Sequence, residues 1–337
     1  MPARHGLANL GNTCYLNSAI QALTATTAFT ELFGSKRWET WHHADRNGTE
    51  LVTMTASMTE MLNTEGTKPI MPVGFARAFV AYAQKINDDI RMGAQADAAE
   101  AIQILIDGLH MNLAREVRMD INGPVNNKEK RALAASYESW AQYFRKEYSV
   151  LVEAFYGQTQ TQIICDGCGA HSTRYEPWNV LKLPIPGAEK EGNPAPTLDE
   201  CLQAAMAEDT LEDYECESCK KRGPAKMHHA ISRFPRHLIL SLKRFTNHGK
   251  KIRAKIPYNP EEVDLQKFRA WPTLQKPIKY KVQSVIEHLG VMNGGHYLMR
   301  KRDASDNQWW QFDDWAVSGP CNGDASPDTY ILILDAV

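Results

Sequence analysis

Two Cys-x-x-Cys pairs, Cys165-Asp-Gly-Cys168 and Cys216-Glu-Ser-Cys219, lie 47 residues apart. Each pair is a knuckle whose backbone turns two sulfurs toward one point, and four thiolates satisfy a tetrahedral zinc ion. The gap exceeds the ~15–20 residues of a short zinc ribbon. Two hairpin tips can still meet across it, and a fold that uses all four sulfurs must bring them together. A closed set of four thiolates leaves no open coordination position, so the metal implied is one structural zinc and not a catalytic one. The chain has seven cysteines and no apolar signal-peptide core at its N-terminus. That combination reads as metal ligands plus free thiols in a reducing compartment, cytoplasmic or nuclear, rather than as disulfides. Cys201 and Cys321 have no partner pattern and read as packing residues.

A chain of 337 residues can bury a sizeable core. Its net charge of −2 gives no reason to expect nucleic acid or an anionic membrane as partner. No stretch approaches the ~20 apolar residues of a membrane span. Lys and Arg cluster at 220–226 and 250–255, which read as solvated loops between strands. Leu16, Ile20 and Leu23 share one face of a helix expected over 14–25, and 95–116 carries a stronger helical pattern. Further helices are expected within 45–68 and 71–90, and a polar break at 122–130 leads into another over 131–152. From about residue 153 the texture changes to short strand-like runs: QTQTQIIC, WNVLKLPI, RHLILSLKRF, IKYKVQSVIEHL, HYLMRKR, WWQF and TYILIL. A Pro- and Gly-rich stretch, 184–197, separates two of them. The pattern is α+β, a helical lobe followed by a largely antiparallel sheet.

Cys14 stands where a Gly/Asn turn meets the first helix, in GLANLGNTCYLNSAIQAL (6–23). Unpaired N–H groups and the helix dipole at such a point favour a thiolate and lower the thiol pKa. They can also donate to an oxyanion, with Asn9 or Asn12 adding a side-chain amide. A small buried cysteine opening a core helix fits the same local pattern. A nucleophilic thiol needs an imidazole and a group that orients it. Among eleven histidines, His296 follows Gly294 and Gly295, which permit close backbone approach and leave room for a narrow substrate. If HYLMRKR and WWQFDD pair as a hairpin with Arg302 opposite Trp309, Leu298 lies opposite Asp313. Asp313 then shares a face with His296, and Asp314 points to the other face. A one-residue slip would exchange the two carboxylates. Trp309 and Trp310 face opposite sides of that strand, one toward the core.

The Cys14, His296 and Asp313 segments together resemble the ubiquitin-specific protease family over essentially the whole chain. GLANLGNTCYLNS is similar to that family's Cys box and GGHYLMRKR with WWQFDDWAV to its His box, in the same order. QADAAEAIQILI (95–106), FPRHLILSLKRF (234–245), YKVQSVIEHLG (280–290) and the closing TYILIL also fit. The resemblance implies a single papain-like cysteine protease domain built as an open hand. Its thumb covers about 1–115, zinc-bearing fingers about 157–230, and a palm mainly 231–337. It implies a thiol-dependent deubiquitinase that cuts after the C-terminal Gly-Gly of ubiquitin through a thioester on Cys14. His296 is the base, Asp313 its orienter (Asp314 the alternative), and Asn9 the oxyanion donor. Zinc falls on Cys165, Cys168, Cys216 and Cys219. Asp97 and Glu100 would pair with the arginines before the diglycine, although first-turn helix acids commonly serve the helix itself.

The expected partners are therefore ubiquitin and ubiquitinated proteins, met by a monomeric catalytic core, with an activating partner left open. A protease for another ubiquitin-like modifier such as SUMO, and a non-catalytic ubiquitin-binding module, stand as alternatives. Two departures from the family pattern are visible. Ala96 replaces a glutamine, and 116–150 has no obvious counterpart. The Cys box begins at residue 6, which leaves little room for a recruiting domain in a bare catalytic core or a trimmed one.

Overall fold

The computed structural model describes residues 3–187, 194–271, 278–292 and 294–337, so residues 188–193 of the Pro- and Gly-rich stretch and Asn293 of the His box lie outside the described residues. Helices α1 (Cys14–Thr24), α2 (Thr27–Phe29), α3 (Thr49–Asn63), α4 (Val73–Ala83), α5 (Ala98–Leu113), α6 (Lys128–Phe144) and α7 (Val150–Phe155) build the first part of the chain. The expected helix over 95–116 starts three residues late because Asp97 caps it, accepting from the N–H groups of Ala99 and Glu100 at 2.8 and 3.0 Å. The segment expected as one helix over 131–152 is two. Asn127 caps α6 inside the polar break and Ser149 caps α7, while Tyr148 pairs with Arg115 between them. The expected amphipathic face of α1 is a correction: every residue from Cys14 to Thr24 is buried, since the helix lies between α5 and the main sheet.

Strands follow as β1 (Gly157–Cys165), β2 (His171–Trp178), β3 (Leu181–Leu183), β4 (Asp209–Glu215), β5 (Arg222–Arg233), β6 (His237–Leu242), β7 (Val263–Asp264), β8 (Lys279–Val291), β9 (Gly294–Arg302), β10 (Trp309–Asp313), β11 (Ala316–Cys321) and β12 (Thr329–Ala336). Helix α8 (Leu198–Ala205) opens with a capping box between Thr197 and Glu200. The main sheet runs β11-β10-β9-β8-β12-β6-β3, with β7 on β8. Its central strands are apolar on both faces, and alternation assigns the faces. Ile331 and Ile333 of β12 and Ile239 of β6 pack with the helices, whereas Leu332, Leu334, Leu238 and Leu240 pack beneath, with α8. Burying each such side chain stabilises the chain by roughly 1.5–3 kcal/mol.

A smaller sheet, β2-β1-β5-β4, projects from this body. The unexpected segment 116–150 braces it: α6 packs on β2, Ser136 Oγ donates to Gln158 Oε1 at 2.7 Å, and the Arg233 guanidinium lies 4.3 Å over Trp140. The basic run at 250–255 is not a fully solvated loop. Lys251 is buried and its ammonium donates to Asp328 Oδ1 at 2.6 Å. The run at 220–226 mostly forms β5.

Candidate active site and thiol cluster

The turn before α1 is built from left-handed residues, Gly11 at φ 91° and Asn12 at φ 58°. Asn9 Oδ1 accepts from the N–H groups of Gly11 and Thr13 at 3.0 and 3.1 Å, which fixes the loop that delivers Cys14 to the helix start. Asn12 Nδ2 donates to the Gly93 carbonyl at 2.7 Å, tying that loop to the approach to α5. Helix α1 packs against β9, and the Tyr297, Tyr15 and Cys14 N–H groups surround the Cys14 sulfur.

The balance of forces on that sulfur differs from the expectation. Burial pushes the Cys14 thiol above its ordinary range, the three N–H groups oppose this, and the Asp314 carboxylate adds to the upward push. Desolvation outweighs the helix terminus, which favours the neutral thiol. Only the thiolate alkylates. The alkylation rate of Cys14 by iodoacetamide should therefore rise with pH through a midpoint above the ordinary thiol value, read by mass spectrometry of its peptide. A plateau already reached at neutral pH would show a resting thiolate instead.

His296, the expected base, is positioned by the β9–β10 hairpin. Trp309 pairs with Arg302 and Phe312 with Met299, the register expected from the sequence. His296 Nε2 donates to Asp313 Oδ1 at 2.6 Å, which leaves Nδ1 as the ring's proton acceptor. Asp314 departs from its expected place. Asp313 pairs with Ala316, so Asp314 and Trp315 form a two-residue turn into β11, and Asp314 takes φ 48°. The carboxylate does not point to the opposite face of a strand: His296, Asp313 and Asp314 keep their ligand atoms within 4.8 Å of one another. Asn9 Nδ2 donates to Asp314 Oδ2 and Asn17 Nδ2 to Asp314 Oδ1, each at 2.8 Å. Asn9 therefore has one amide hydrogen on Asp314 and a second left to donate.

Asn17 was not among the residues singled out from the sequence. Its signal was present: a buried amide in a core helix, one turn after Cys14, needs a polar partner. Also missed were Gln95, whose Nε2 donates to the Gly295 carbonyl at 3.1 Å, and His288, held 4.7 Å from the Tyr297 ring. Burial lowers the His288 imidazole to about 4, so it stays neutral.

The glycine pair serves two ends. A Cβ on Gly295 would lie 2.2 Å from His288 Nε2 and 2.6 Å from the Leu289 carbonyl oxygen, so the pairing of β9 with β8 itself demands glycine there. Gly294 faces open space. A cavity of about 210 Å³ is lined by Cys14, Gln95, Asp97, His288, Gly295 and Tyr297. Asp97 also borders a second cavity of about 450 Å³ that includes Glu100. Asp97 accepts from the Tyr330 hydroxyl as well as capping α5, and Glu100 Oε1 accepts from Asn87 at 2.8 Å.

The four cysteines meet at the end of the smaller sheet, where Cys165, Cys168, Cys216 and Cys219 keep all sulfurs within 4.8 Å of one another. The two knuckles repeat one another. Gly169 N–H donates to the Cys165 carbonyl and Lys220 N–H to that of Cys216, both at 2.8 Å, with left-handed φ of 69° and 57°. Cys168 and Cys216 sulfurs lie 3.7 Å apart, close to the edge of a tetrahedron with metal–sulfur bonds of about 2.3 Å. The residues present fit a metal ion. Cys201 is buried in the lower core as expected, but Cys321 is exposed and does not pack.

The family model of ubiquitin carboxyl-terminal hydrolase matches residues 5–333. The chain belongs to the ubiquitin carboxyl-terminal hydrolase family. The resemblance seen in the Cys and His boxes is borne out. The hydrolase-family chain is 30% identical over 375 residues to ubiquitin carboxyl-terminal hydrolase 4 of Vanderwaltozyma polyspora, covering 98% of the chain and 41% of that protein. It is 29% identical over 340 residues to human ubiquitin carboxyl-terminal hydrolase 2, covering 98% and 54%. The chain thus spans about half or less of the length of these relatives. Its fold superposes on the SAGA Ubp8/Sgf11/Sus1/Sgf73 DUB module bound to ubiquitin aldehyde with a TM-score of 0.74 at 22% identity, over 100% of this chain and 71% of that one. The fold class is therefore the α+β open hand of thumb, palm and fingers.

Proposed function

We propose that the chain is a cysteine deubiquitinase that hydrolyses the isopeptide or peptide bond after the C-terminal Gly-Gly of ubiquitin. The observation that carries this is the 2.6 Å His296–Asp313 bond on the strand packed against the start of α1, where Cys14 sits. Asp313 holds the imidazole in the tautomer whose Nδ1 accepts the Cys14 proton. The thiolate attacks the carbonyl carbon of the terminal glycine, and the carbonyl electron pair moves onto oxygen. Asn9's second amide hydrogen and the Cys14 N–H stabilise that oxyanion, about 3 kcal/mol per donor. Collapse breaks the C–N bond, His296 returns the proton to the leaving amine, and water then hydrolyses the thioester.

The tail of the modifier fits the pair of cavities that share Asp97, running from Glu100 to Cys14. In this reading Asp97 and Glu100 receive the arginines before the diglycine, and the side-chain-free tail passes beneath the Gln95–Gly295 contact. Thumb, fingers and palm divide at about 1–115, 157–230 and 231–337. The four finger thiols hold one structural zinc, which supplies a cross-link between two hairpin tips and no catalytic step. A nucleophilic thiol and a four-thiolate zinc centre both require reduced sulfur, which suits the cytoplasm or nucleus.

The test is a panel of modifiers, each carrying a cysteine-reactive electrophile in place of its terminal glycine, with intact mass as readout. An adduct on Cys14 with the ubiquitin probe alone is expected. An adduct only with a SUMO-type probe would reassign the modifier, and binding of ubiquitin without any adduct would make the chain a binding module.

A further inference from the structure

Cys14 borders the cavity on the tail side, but Asn9, Asp313 and Asp314 border another, of about 380 Å³, with Ala8, Trp315 and Ala316. The two ends of a scissile bond must part at this point. The acyl end reaches the sulfur, and the amine end lies toward the imidazole that protonates it. Asp313, which holds that imidazole, lines the 380 Å³ cavity, so this cavity is the one on the leaving side.

Its wall contains an anomaly. Trp315 is 70% exposed, the most exposed of the large hydrophobic side chains among the described residues after Val337. A solvent-facing indole forfeits the hydrophobic stabilisation that burial gives so large a side chain. The backbone that carries it is held firmly. Its backbone is one half of the two-residue turn between β10 and β11, and Leu7 N–H donates to the Asp314 carbonyl at 2.8 Å. A Cβ on Gly6 would lie 2.1 Å from the Trp315 carbonyl oxygen, so the N-terminal segment abuts this turn without space for a side chain. Next to the indole, Asp314 accepts only from the neutral amides of Asn9 and Asn17, and no ion pair to it is found among the described residues. An exposed aromatic side chain on a fixed turn, next in the chain to a carboxylate with no ion pair among the described residues, suits a long alkyl stem that ends in a cation.

We propose that Trp315 is a specificity-determining residue that seats the lysine-bearing leaving chain, its indole against the lysine stem and Asp314 favouring the ammonium that forms on release. This rests on the deubiquitinase reading and adds the side of the substrate that reading leaves open. It makes the enzyme choose for a lysine leaving group over a small one.

The experiment compares two ubiquitin substrates on wild type, Trp315→Ala and Trp315→Phe. One is ubiquitin isopeptide-linked to a lysine-containing peptide, and the other is ubiquitin ethyl ester, whose ethanol is too short to cover the indole. The readout is the ratio of kcat/KM for isopeptide over ester. Trp315→Ala is expected to lower that ratio about tenfold, and Trp315→Phe to restore most of it. An unchanged ratio in Trp315→Ala, with both substrates still cleaved, overturns the role of Trp315 alone. Failure of wild type to cleave either substrate overturns the deubiquitinase reading and this inference with it.

Discussion

Cys14→Ala should lower cleavage of a ubiquitin isopeptide by about 10⁴-fold or more while the chain keeps its fold and its affinity for ubiquitin. The size follows from the site having no second nucleophile in place. The cavity of about 210 Å³ is lined by one thiol, Cys14, and its Tyr15 and Tyr297 hydroxyls are pushed above their ordinary range by burial. Removing one sulfur from a buried helix start should change stability by only about 1 kcal/mol. Loss of turnover therefore reports chemistry and not unfolding. Asp313→Asn is the informative companion. The amide can donate to His296 Nε2, which places the ring proton on the nitrogen that should accept from Cys14. A loss of about 10²–10⁴-fold is expected, with substrate affinity retained. The measurements are kcat/KM on the isopeptide, ubiquitin affinity, and circular dichroism for each variant. Turnover in Cys14→Ala within tenfold of wild type would remove Cys14 from the mechanism.

The same residues show how much of the site was legible beforehand. The Asp313 position followed from a single assumed pair, Arg302 opposite Trp309, because side chains alternate with a period that has no slack. Asp314 was misplaced because alternation was carried one residue beyond the strand. A φ of 48° at a non-glycine residue is set by the tertiary environment, here Asn9 and Asn17, and is not written in local propensity. The thiol's direction failed for a similar reason. A helix terminus is visible in sequence, whereas the complete burial of α1 depends on α5 and β9 packing from either side. Gly295 was noticed for the substrate, yet its first constraint is the neighbouring strand, where His288 leaves no space for a Cβ. The face assignment of the two tryptophans did follow from alternation. Trp309 enters the lower core, and Trp310 lies on the other side with the Arg4 guanidinium 3.7 Å over its ring.

The fingers carry the other large effect, because little besides the thiols holds their outer half. Between 159 and 176 and between 209 and 230, Ile163, Cys165, Cys216 and Ala225 are the buried residues, and two of those four are candidate ligands. So small an apolar area offsets little of the conformational entropy lost in ordering these strands. Backbone pairing to β1 and β5 organises these strands, but an isolated four-stranded sheet without an apolar face is marginal. Structural zinc in small thiolate sites contributes apparent binding energies of ~10–16 kcal/mol near neutral pH, which would make a bound ion the largest single contribution at this end of the sheet. Purified chain should therefore carry one zinc per molecule by elemental analysis. Cys216→Ser, or removal of the metal by a strong chelator, should abolish hydrogen-exchange protection across β1, β2, β4 and β5 toward the knuckles. The main sheet and α1, whose side chains pack in the two cores on either face of that sheet, should keep theirs. Cleavage of small ubiquitin esters should then fall through weaker ubiquitin binding, as a rise in KM with kcat little changed. A metal-free chain whose outer finger strands exchange as slowly as the palm would mean that the sheet stands without the ion, and that the four thiols serve some purpose other than holding the fingers together.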